Sequence, residues 1–302
     1  MPSLASGFEP ALAQMRTAGL SVFGPTGFRD YLLEHGLSGS RTADHVSVSH
    51  FDGLPAALKA SNTMVLRLGA GASGRTNFAL VRVADIRDFF LGIDPEMPRT
   101  FLSDTRMRDL IGYTLLVPSE TTLVNLAFTS GLVAHALRLD DGEALPAPAR
   151  GVLRATFAFR AHSTLGCILE HVHGQVEIDA LFVGRRNGLD HLFVLEAKQS
   201  CAALANHKLL YPIMALAAGV PPDMPIVPVY LRAERQPGGY LFTIAECRCP
   251  DPQHGLLALD ALGVERSQTF NLPLGMVSAP WAPVPAAIND VAGMHIRYRT
   301  SL

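Results

Sequence analysis

The sequence predicts an α/β fold: a mixed central β-sheet flanked by helices, with an N-terminal α/β extension. Strand-type runs dominate the second half of the chain, and one long helical stretch lies among them. The chain has 302 residues, of which 48% are hydrophobic and 17% are charged. This size and composition are typical of a globular protein with a sizeable core.

The first hundred residues predict a smaller α/β unit. Helices are predicted at Gly27–His35, Gly53–Ala60 and Asp85–Leu91, and strands at Met64–Gly69 and Asn77–Val83. Two prolines and mixed charges mark Asp94–Arg106 as a boundary. We therefore expect a recognition or dimerisation region at 1–105 and a second domain at 106–302.

The second domain begins with a helix and continues as strands. Ser119 is the expected N-cap of a helix with apolar positions at Leu123, Leu126, Leu132, Val133 and Leu137. A loop is expected at Asp140–Gly151. The predicted strands are Val152–Arg160, Gln175–Val183, His191–Lys198, Ile226–Arg232 and Tyr240–Cys247. A helix is predicted at Ala202–Ala218, and the last fifty residues give no prediction.

Charge and composition restrict the classes of function. The net charge of −2 provides no general basic footprint, so any contact with nucleic acid must come from a local patch. Five prolines in Tyr211–Leu231 exclude a membrane span there. The N-terminus lacks the pattern of a signal peptide, so a soluble, cytoplasmic protein is expected. No phosphate-binding loop of P-loop spacing is present, and no nucleotide cofactor is predicted.

The four cysteines favour free thiols over a metal site. Cys167, Cys201, Cys247 and Cys249 do not form the paired spacing of a zinc ribbon. A structural zinc on Cys247, Cys249 and His254 is the alternative interpretation.

The most informative segment is the predicted hairpin from Gly174 to Ser200. Asn187-Gly188 between two strand-type runs indicates a two-residue type I′ turn. This turn places Arg186 opposite Leu189, Val183 opposite Leu192 and Leu181 opposite Val194. The same register places Asp179 opposite Glu196 and Glu177 opposite Lys198.

Strand alternation predicts one apolar and one ionisable face of this hairpin. The predicted core face contains Val176, Ile178, Ala180, Phe182, Phe193, Leu195 and Ala197. Asp179 and Glu196 on the other face would have Cβ atoms about 5 Å apart. Two such carboxylates repel each other unless a cation or a proton lies between them, and Mg²⁺ prefers oxygen ligands of this kind. A solvated hairpin face with a Glu177–Lys198 ion pair is the simpler alternative.

Asp179, a spacer of sixteen residues and Glu196-Ala197-Lys198 resemble the motif of the PD-(D/E)XK nuclease superfamily, which includes the type II restriction endonucleases. The resemblance covers about Val152 to Tyr230, with Ile178 in place of the leading proline. It implies a restriction endonuclease-like core in 106–302. It further implies that Asp179, Glu196 and the Ala197 carbonyl bind Mg²⁺ and that Lys198 orients or deprotonates the water that attacks a phosphodiester.

The superfamily often draws a further acid from a preceding helix. Glu170, within a predicted helix at Ser163–His171, is the first candidate for this metal ligand, and Glu177 is its competitor. Contacts with the DNA backbone are expected from Lys208, Arg185 and Arg186.

The resemblance leads to a specific functional expectation. The chain is expected to be a Mg²⁺-dependent endonuclease of double-stranded DNA, of the type II restriction kind and acting as a homodimer. A repair or other defence nuclease of the same fold is one alternative, and a catalytically silent DNA-binding or scaffold module is another. The N-terminal region, with Arg67, Arg75 and Arg82, could form a winged helix or a simpler specificity or dimerisation module.

Overall fold

The computed structural model describes residues 7–37, 45–70, 75–94, 96–105, 107–115, 118–140, 145–199 and 203–274. Within these ranges the chain forms a ten-stranded mixed sheet flanked by a few helices, which confirms the predicted α/β class. Its strands are β1 (Val22–Gly27), β2 (Thr63–Ala70), β3 (Thr76–Arg82), β5 (Arg99–Thr100), β6 (Ala149–Arg160), β7 (Ile168–Arg186), β8 (Leu189–Gln199), β10 (Ile226–Gln236), β11 (Gly239–Arg248) and β12 (Gly263–Pro273), and β4 (Phe90–Leu91) pairs separately with β9 (Leu204–Ala205).

Short helices pack on this sheet. They are α1 (Glu9–Ala18), α2 (Phe28–Glu34), α3 (Ala56–Ala60), α4 (Met107–Leu115), α5 (Glu120–Thr129), α6 (Leu132–Ala136) and α7 (His207–Leu216). Ser119 caps α5, since its side chain accepts a hydrogen bond from the Thr122 amide, as predicted. In the described part of the chain, no helix has the length and apolarity needed to cross a membrane.

The sheet has the strand order β1-β3-β2-β7-β8-β10-β11-β12-β5, and β6 pairs with β7 outside this path. Most neighbouring strands are antiparallel, whereas the pairs β2–β7, β8–β10 and β12–β5 are parallel. The strands β8 and β10 are connected through α7. The N-terminal strands therefore continue the same sheet as the hairpin, and the division of the chain at residue 105 stays a prediction.

The sheet divides at β7. One edge of β7 pairs with β6 between Ile168 and Leu181. A strand has two edges, so β2, which meets β7 at Val172, and β8, which pairs from Ala180 onward, must share the opposite edge. We call the segment of β7 between these two partners, residues 173–179, the fork.

A β-bulge lies at the end of the fork. Ala149 faces Leu181 and Gly151 faces Ile178, so β7 has one residue more than β6 at Asp179–Ala180. The alternation of faces is interrupted there. The prediction that residues 176–182 present one continuous core face is therefore wrong, although all of its apolar members are buried.

Two hydrophobic cores cover the two faces of the sheet. Ala180, Phe182, Phe193 and Leu195 belong to the core beneath α5 and α6, whereas Val176 belongs to the core that includes α7 and the N-terminal unit. Val194 also lies in this second core. The face that was predicted to carry the ionisable groups, together with Leu181 and Val194, is thus partly buried under α7.

Several predicted helices are shorter or absent because long-range contacts outweigh local pattern. The segment at Asp85–Leu91 forms a 3₁₀ turn followed by β4, which pairs with β9. The helix predicted at Ala202–Ala218 begins only at His207, because Leu204–Ala205 form β9 instead. Cys201 and Ala202 lie outside the described residues. The helix predicted after Ser119 is interrupted at Gly131, which has a positive φ of 78°.

The helix predicted at Ser163–His171 is wrong. Its second half is the beginning of β7, and Glu170 faces Ala158 of β6. An aromatic and β-branched partner strand, β6, stabilises the extended conformation of this segment.

Candidate active site

Asp179 lies at the bulge, where β8 separates from β7. The hairpin has the predicted register from Arg186–Leu189 through Leu181–Val194, and its ladder ends at Ala180–Leu195. Asp179 Oδ2 then accepts a hydrogen bond of 2.9 Å from the Ala197 amide, so a side chain replaces the backbone carbonyl of a continued ladder. The predicted pairing of Glu177 with Lys198 does not form in this register.

Three carboxylates converge on the amine of Lys198. Its Nζ lies 2.9 Å from Glu196 Oε1, 3.3 Å from Glu120 Oε2 and 3.6 Å from Asp179 Oδ2. It also donates a hydrogen bond of 2.7 Å to the Ala197 carbonyl. The ammonium therefore sits among the oxygens that the resemblance assigns to a cation, and we call Glu120, Asp179, Glu196 and Lys198 the acid–lysine centre.

Burial and charge shift the proton affinities of this centre. Burial raises the pKa of Glu196 to about 7; Lys198 opposes this rise and the Asp179 carboxylate adds to it. Burial works to lower the pKa of Lys198, but the carboxylates of Glu196 and Asp179 outweigh it and raise the pKa. Lys198 is consequently an ammonium at neutral pH in this arrangement, which suits a charge-stabilising group better than a base.

The donor set fits a hard divalent cation in chemistry, although the side chains are not arranged around one. Three carboxylates and a carbonyl are ligands that Mg²⁺ prefers. Among the described residues, no group of three or more His, Cys, Asp or Glu side chains is positioned as a ready metal site. A cation at this place requires the Lys198 amine to withdraw from the oxygens that it now contacts.

Glu120 is the acid that the sequence analysis missed. It lies in the first turn of α5, directly after the Ser119 cap. The two predicted candidates lie elsewhere: Glu170 and Glu177 are exposed on β7, opposite Ala158 and Val152 of β6. The resemblance implies an acid from a preceding helix. Glu120, the acidic residue directly after the predicted N-cap Ser119, could have been identified from the sequence on that ground.

The residues predicted to contact DNA differ in their surroundings. Lys208 lies in the first turn of α7 and has no ion pair among the described residues. Arg185 pairs with Asp190 at 3.0 Å. Arg186 pairs with Glu246 at 2.6 Å, and Glu246 also binds Arg266. Of these three predicted contacts, Lys208 is the one whose charge acts on Glu196 of the acid–lysine centre, lowering the pKa of its carboxyl group.

A cleft of about 270 Å³ lies between the N-terminal unit, β7 and α7. Arg67, His171, Glu177 and Lys208 line it. The charge of Lys208 links the cleft to the centre, because it lowers the pKa of Glu196. The cleft lies at the fork, since Gln175, Val176 and Glu177 of the fork are among its lining residues. Residues of β2 and α7 form the other walls.

Cys167, Cys247 and Cys249, the cysteines within the described residues, form no disulfide. Burial raises the pKa of Cys247 to about 12 and that of Cys249 to about 11, which keeps both thiols protonated. His254 instead pairs with Asp251 at 2.7 Å.

A family model described as Domain of unknown function (DUF6997) matches residues 104–255. The matched region contains all four residues of the acid–lysine centre, whereas Arg67 of the cleft lies outside it. No curated protein matches the chain, and no solved structure matches it.

Proposed function

This chain belongs to the DUF6997 family, and we propose that it is a Mg²⁺-dependent nuclease that hydrolyses phosphodiester bonds of DNA at the acid–lysine centre. The observation that carries the proposal is the convergence of Glu120, Asp179 and Glu196 on Lys198, all within 3.6 Å of its amine. The spacing of Asp179, Glu196 and Lys198 that resembles the PD-(D/E)XK motif supports the same assignment.

The charge of the centre supports a role for a cation. Three carboxylates face one ammonium, and Glu196 is 4% exposed, so the site holds more negative charge than its own residues offset. A bound Mg²⁺ supplies a Lewis acid that lowers the pKa of water and offsets charge on the phosphate. Asp179, Glu196 and Glu120, with the Ala197 carbonyl, are the residues that would hold it.

The remaining residues position the substrate and its charge. With the site occupied, Lys198 would remain an ammonium and would stabilise the negative charge that develops on the phosphate. Asp179 stays anchored to the Ala197 amide, which fixes one carboxylate relative to β8. Lys208 offers a further positive charge at the entrance from α7.

We further propose that the substrate is double-stranded DNA and that the enzyme is of the type II restriction kind, acting as a homodimer. Two cuts in a symmetric site suit a two-fold dimer. Digestion of unmethylated DNA followed by mapping of the ends tests this finer proposal, because a restriction enzyme leaves one repeated sequence at every cut.

The central experiment is a cleavage assay on unmethylated plasmid and phage DNA. We expect cleavage with Mg²⁺, no cleavage with EDTA, and no cleavage by Asp179→Asn or Glu196→Gln. Asparagine at 179 can still accept the hydrogen bond of the Ala197 amide, so the fold should survive. Glu170→Gln is the matched control, because it removes an exposed acid from the same strand and should cut like the wild type.

Two results would contradict the proposal. One is intact DNA across varied substrates at all Mg²⁺ concentrations. The other is an Asp179→Asn variant that cleaves at the wild-type rate.

A catalytically silent DNA-binding module is the second candidate. It is favoured by the way that Lys198 already occupies the oxygens of the centre and by the lack of a ready metal site in the described residues. DNA binding that is unaffected by Mg²⁺, without any cleavage, would select this candidate.

A further inference from the structure

The cleft at the fork has walls from three separate parts of the chain. Ser47, Ser49 and Arg67 come from the N-terminal unit, His171 and Glu177 from β7, and Lys208 from α7. None of the N-terminal residues belongs to the acid–lysine centre, and Lys208 is the one lining residue that the hydrolytic proposal uses.

Two positive side chains in this cleft lack an acidic partner. Within the described residues, Arg67 and Lys208 form no ion pair, and the buried Nε of Arg67 has no hydrogen-bond partner. The neighbouring arginines of the N-terminal unit differ in this respect, because Arg75 pairs with Asp30 and Arg82 donates to the Leu20 carbonyl. A half-buried guanidinium without a partner is costly unless a ligand completes its hydrogen bonds.

A buried histidine adds a second unsatisfied group. His171 is 1% exposed, lines the cleft, and its Nδ1 has no hydrogen-bond partner. Its ring stacks on Phe157 and contacts Tyr211, which hold it in place. A ring nitrogen that is buried and rigid but unpaired is suited to bind a polar group that enters the cleft.

The first turn of α7 forms another wall. His207 and Lys208 are its first two residues and both line the cleft. The N-terminus of a helix carries a partial positive charge and favours anions. Glu177 is the single acidic side chain among the lining residues, so the positive groups outnumber it.

The size of the cleft limits the ligand. Its 270 Å³ is just below the roughly 300–1,000 Å³ of ordinary small-molecule pockets. It can hold a phosphate group with part of a sugar, but not a base pair.

We propose that this cleft binds one phosphate group of a nucleotide or nucleic-acid strand through Arg67, Lys208 and His171, next to the acid–lysine centre. The phosphate comes either from the backbone of a strand or from its terminal monoester. The site requires no catalysis, so it stands or falls separately from the nuclease proposal.

Phosphate binding is measured by the thermal midpoint of unfolding in EDTA, with inorganic phosphate against an equal ionic strength of chloride. The wild type should gain stability as phosphate rises. Lys208→Gln and Arg67→Gln should each weaken binding about tenfold or more. Glu177→Gln should strengthen it several-fold, because it removes the one negative charge in the cleft. Arg16→Gln, which removes an exposed arginine that pairs with Glu9 on α1, is the control and should bind like the wild type.

A second arm distinguishes the two sources of phosphate. Short oligonucleotides with and without a 5′-phosphate are compared by competition with inorganic phosphate. Equal competition assigns the cleft to the backbone, and competition by the phosphorylated strand alone assigns it to a terminal monoester.

The proposal is overturned if phosphate has no effect beyond that of chloride, or if Lys208→Gln and Glu177→Gln bind phosphate like the wild type. These two variants decide the matter even if Arg67→Gln fails to fold. If the protein cuts DNA but does not bind phosphate, the proposed phosphate site is wrong and the nuclease proposal stands. If it binds phosphate but does not cut DNA, the nuclease proposal is wrong and the phosphate site stands.

Discussion

Two clusters of charged side chains lie on the same sheet, and they balance their charges in opposite ways. Near the tip of the hairpin, Glu246 lies between Arg186 and Arg266, and each of its oxygens binds one guanidinium at 2.6 and 2.7 Å. In the acid–lysine centre the ratio is reversed, because three carboxylates surround the single ammonium of Lys198.

The difference separates a structural cluster from the one that we propose to be reactive. Both oxygens of Glu246 are occupied, and Arg266 also donates to the Ala136 carbonyl, so the hydrogen bonds are largely completed within the protein. Glu196 is as buried as Glu246 but shares its one cation with two other acids, and burial raises its pKa to about 7. Surplus negative charge in a buried site is stable only if an acid takes up a proton or a further cation binds. A metal-dependent site needs this affinity for a cation.

The largest effect is expected from breaking the structural cluster. Glu246→Gln leaves two partly buried guanidiniums without a counter-charge and should lower the free energy of unfolding by about 3–5 kcal/mol. Denaturant unfolding measures this change. Asp190→Asn, which breaks the exposed pair with Arg185, is the control and should cost less than about 1 kcal/mol. A small loss in Glu246→Gln would show that the two clusters do not differ in the way described.

Lys198→Gln tests the reactive cluster by separating binding from chemistry. Removal of the amine should reduce DNA cleavage by about 10²–10³-fold, the usual effect of deleting one group that stabilises a transition state. The same change leaves three carboxylates without a cation, so Mg²⁺ should raise the thermal midpoint of this variant more than that of the wild type. A variant that loses cleavage and gains no response to Mg²⁺ would argue against a cation at this place.

The pH dependence of stability tests the raised pKa of Glu196 in metal-free protein. Glu196 has an ordinary pKa of 4.5 when unfolded and about 7 when folded. Between these values the folded protein keeps a proton that the unfolded chain has lost, so stability falls as the pH rises through this window. The difference corresponds to on the order of 3 kcal/mol.

Denaturant unfolding in EDTA at several pH values measures this slope. Glu196→Gln should remove it, because glutamine does not titrate. Identical pH profiles of the variant and the wild type would show that Glu196 carries no such penalty.

The smallest effect is expected from Glu120, the most exposed acid of the centre. Glu120→Gln should weaken Mg²⁺ binding about tenfold, because it removes one of several carboxylates. Calorimetric titration with Mg²⁺ provides the measurement, and Glu170→Gln should leave the affinity unchanged. The reverse result would restore Glu170 as the additional acid.

The hairpin shows how far the sequence determines the site. Asn187 and Gly188 both have positive φ, as a type I′ turn requires, and the register that follows from it is correct over seven pairs. The same reasoning fails at Asp179, because the bulge there depends on pairing with β6. That partner strand lies outside the hairpin, and no local pattern reveals where its register shifts.

Contacts between distant segments account for the other differences. Glu120 reaches Lys198 only after α5 packs on the sheet, 78 positions away in the sequence. Arg186 was expected to face DNA, but its pairing with Glu246 is a contact across 60 positions. Residue type and spacing identified the hairpin that contains the proposed site, whereas tertiary packing determined which charged side chains meet there.

The junction between β2 and β7 has a consequence for the width of the cleft. A Cβ at Gly69 would lie 2.3 Å from the Val172 carbonyl oxygen, and a Cβ at Gly174 would lie 2.6 Å from Gly69 Cα. The two backbones therefore touch where neither has a side chain. A charged residue of the cleft can be substituted without moving the backbone. The distance between the walls, in contrast, depends on the absence of a Cβ at Gly69 and at Gly174, so a substitution at either glycine should widen the cleft.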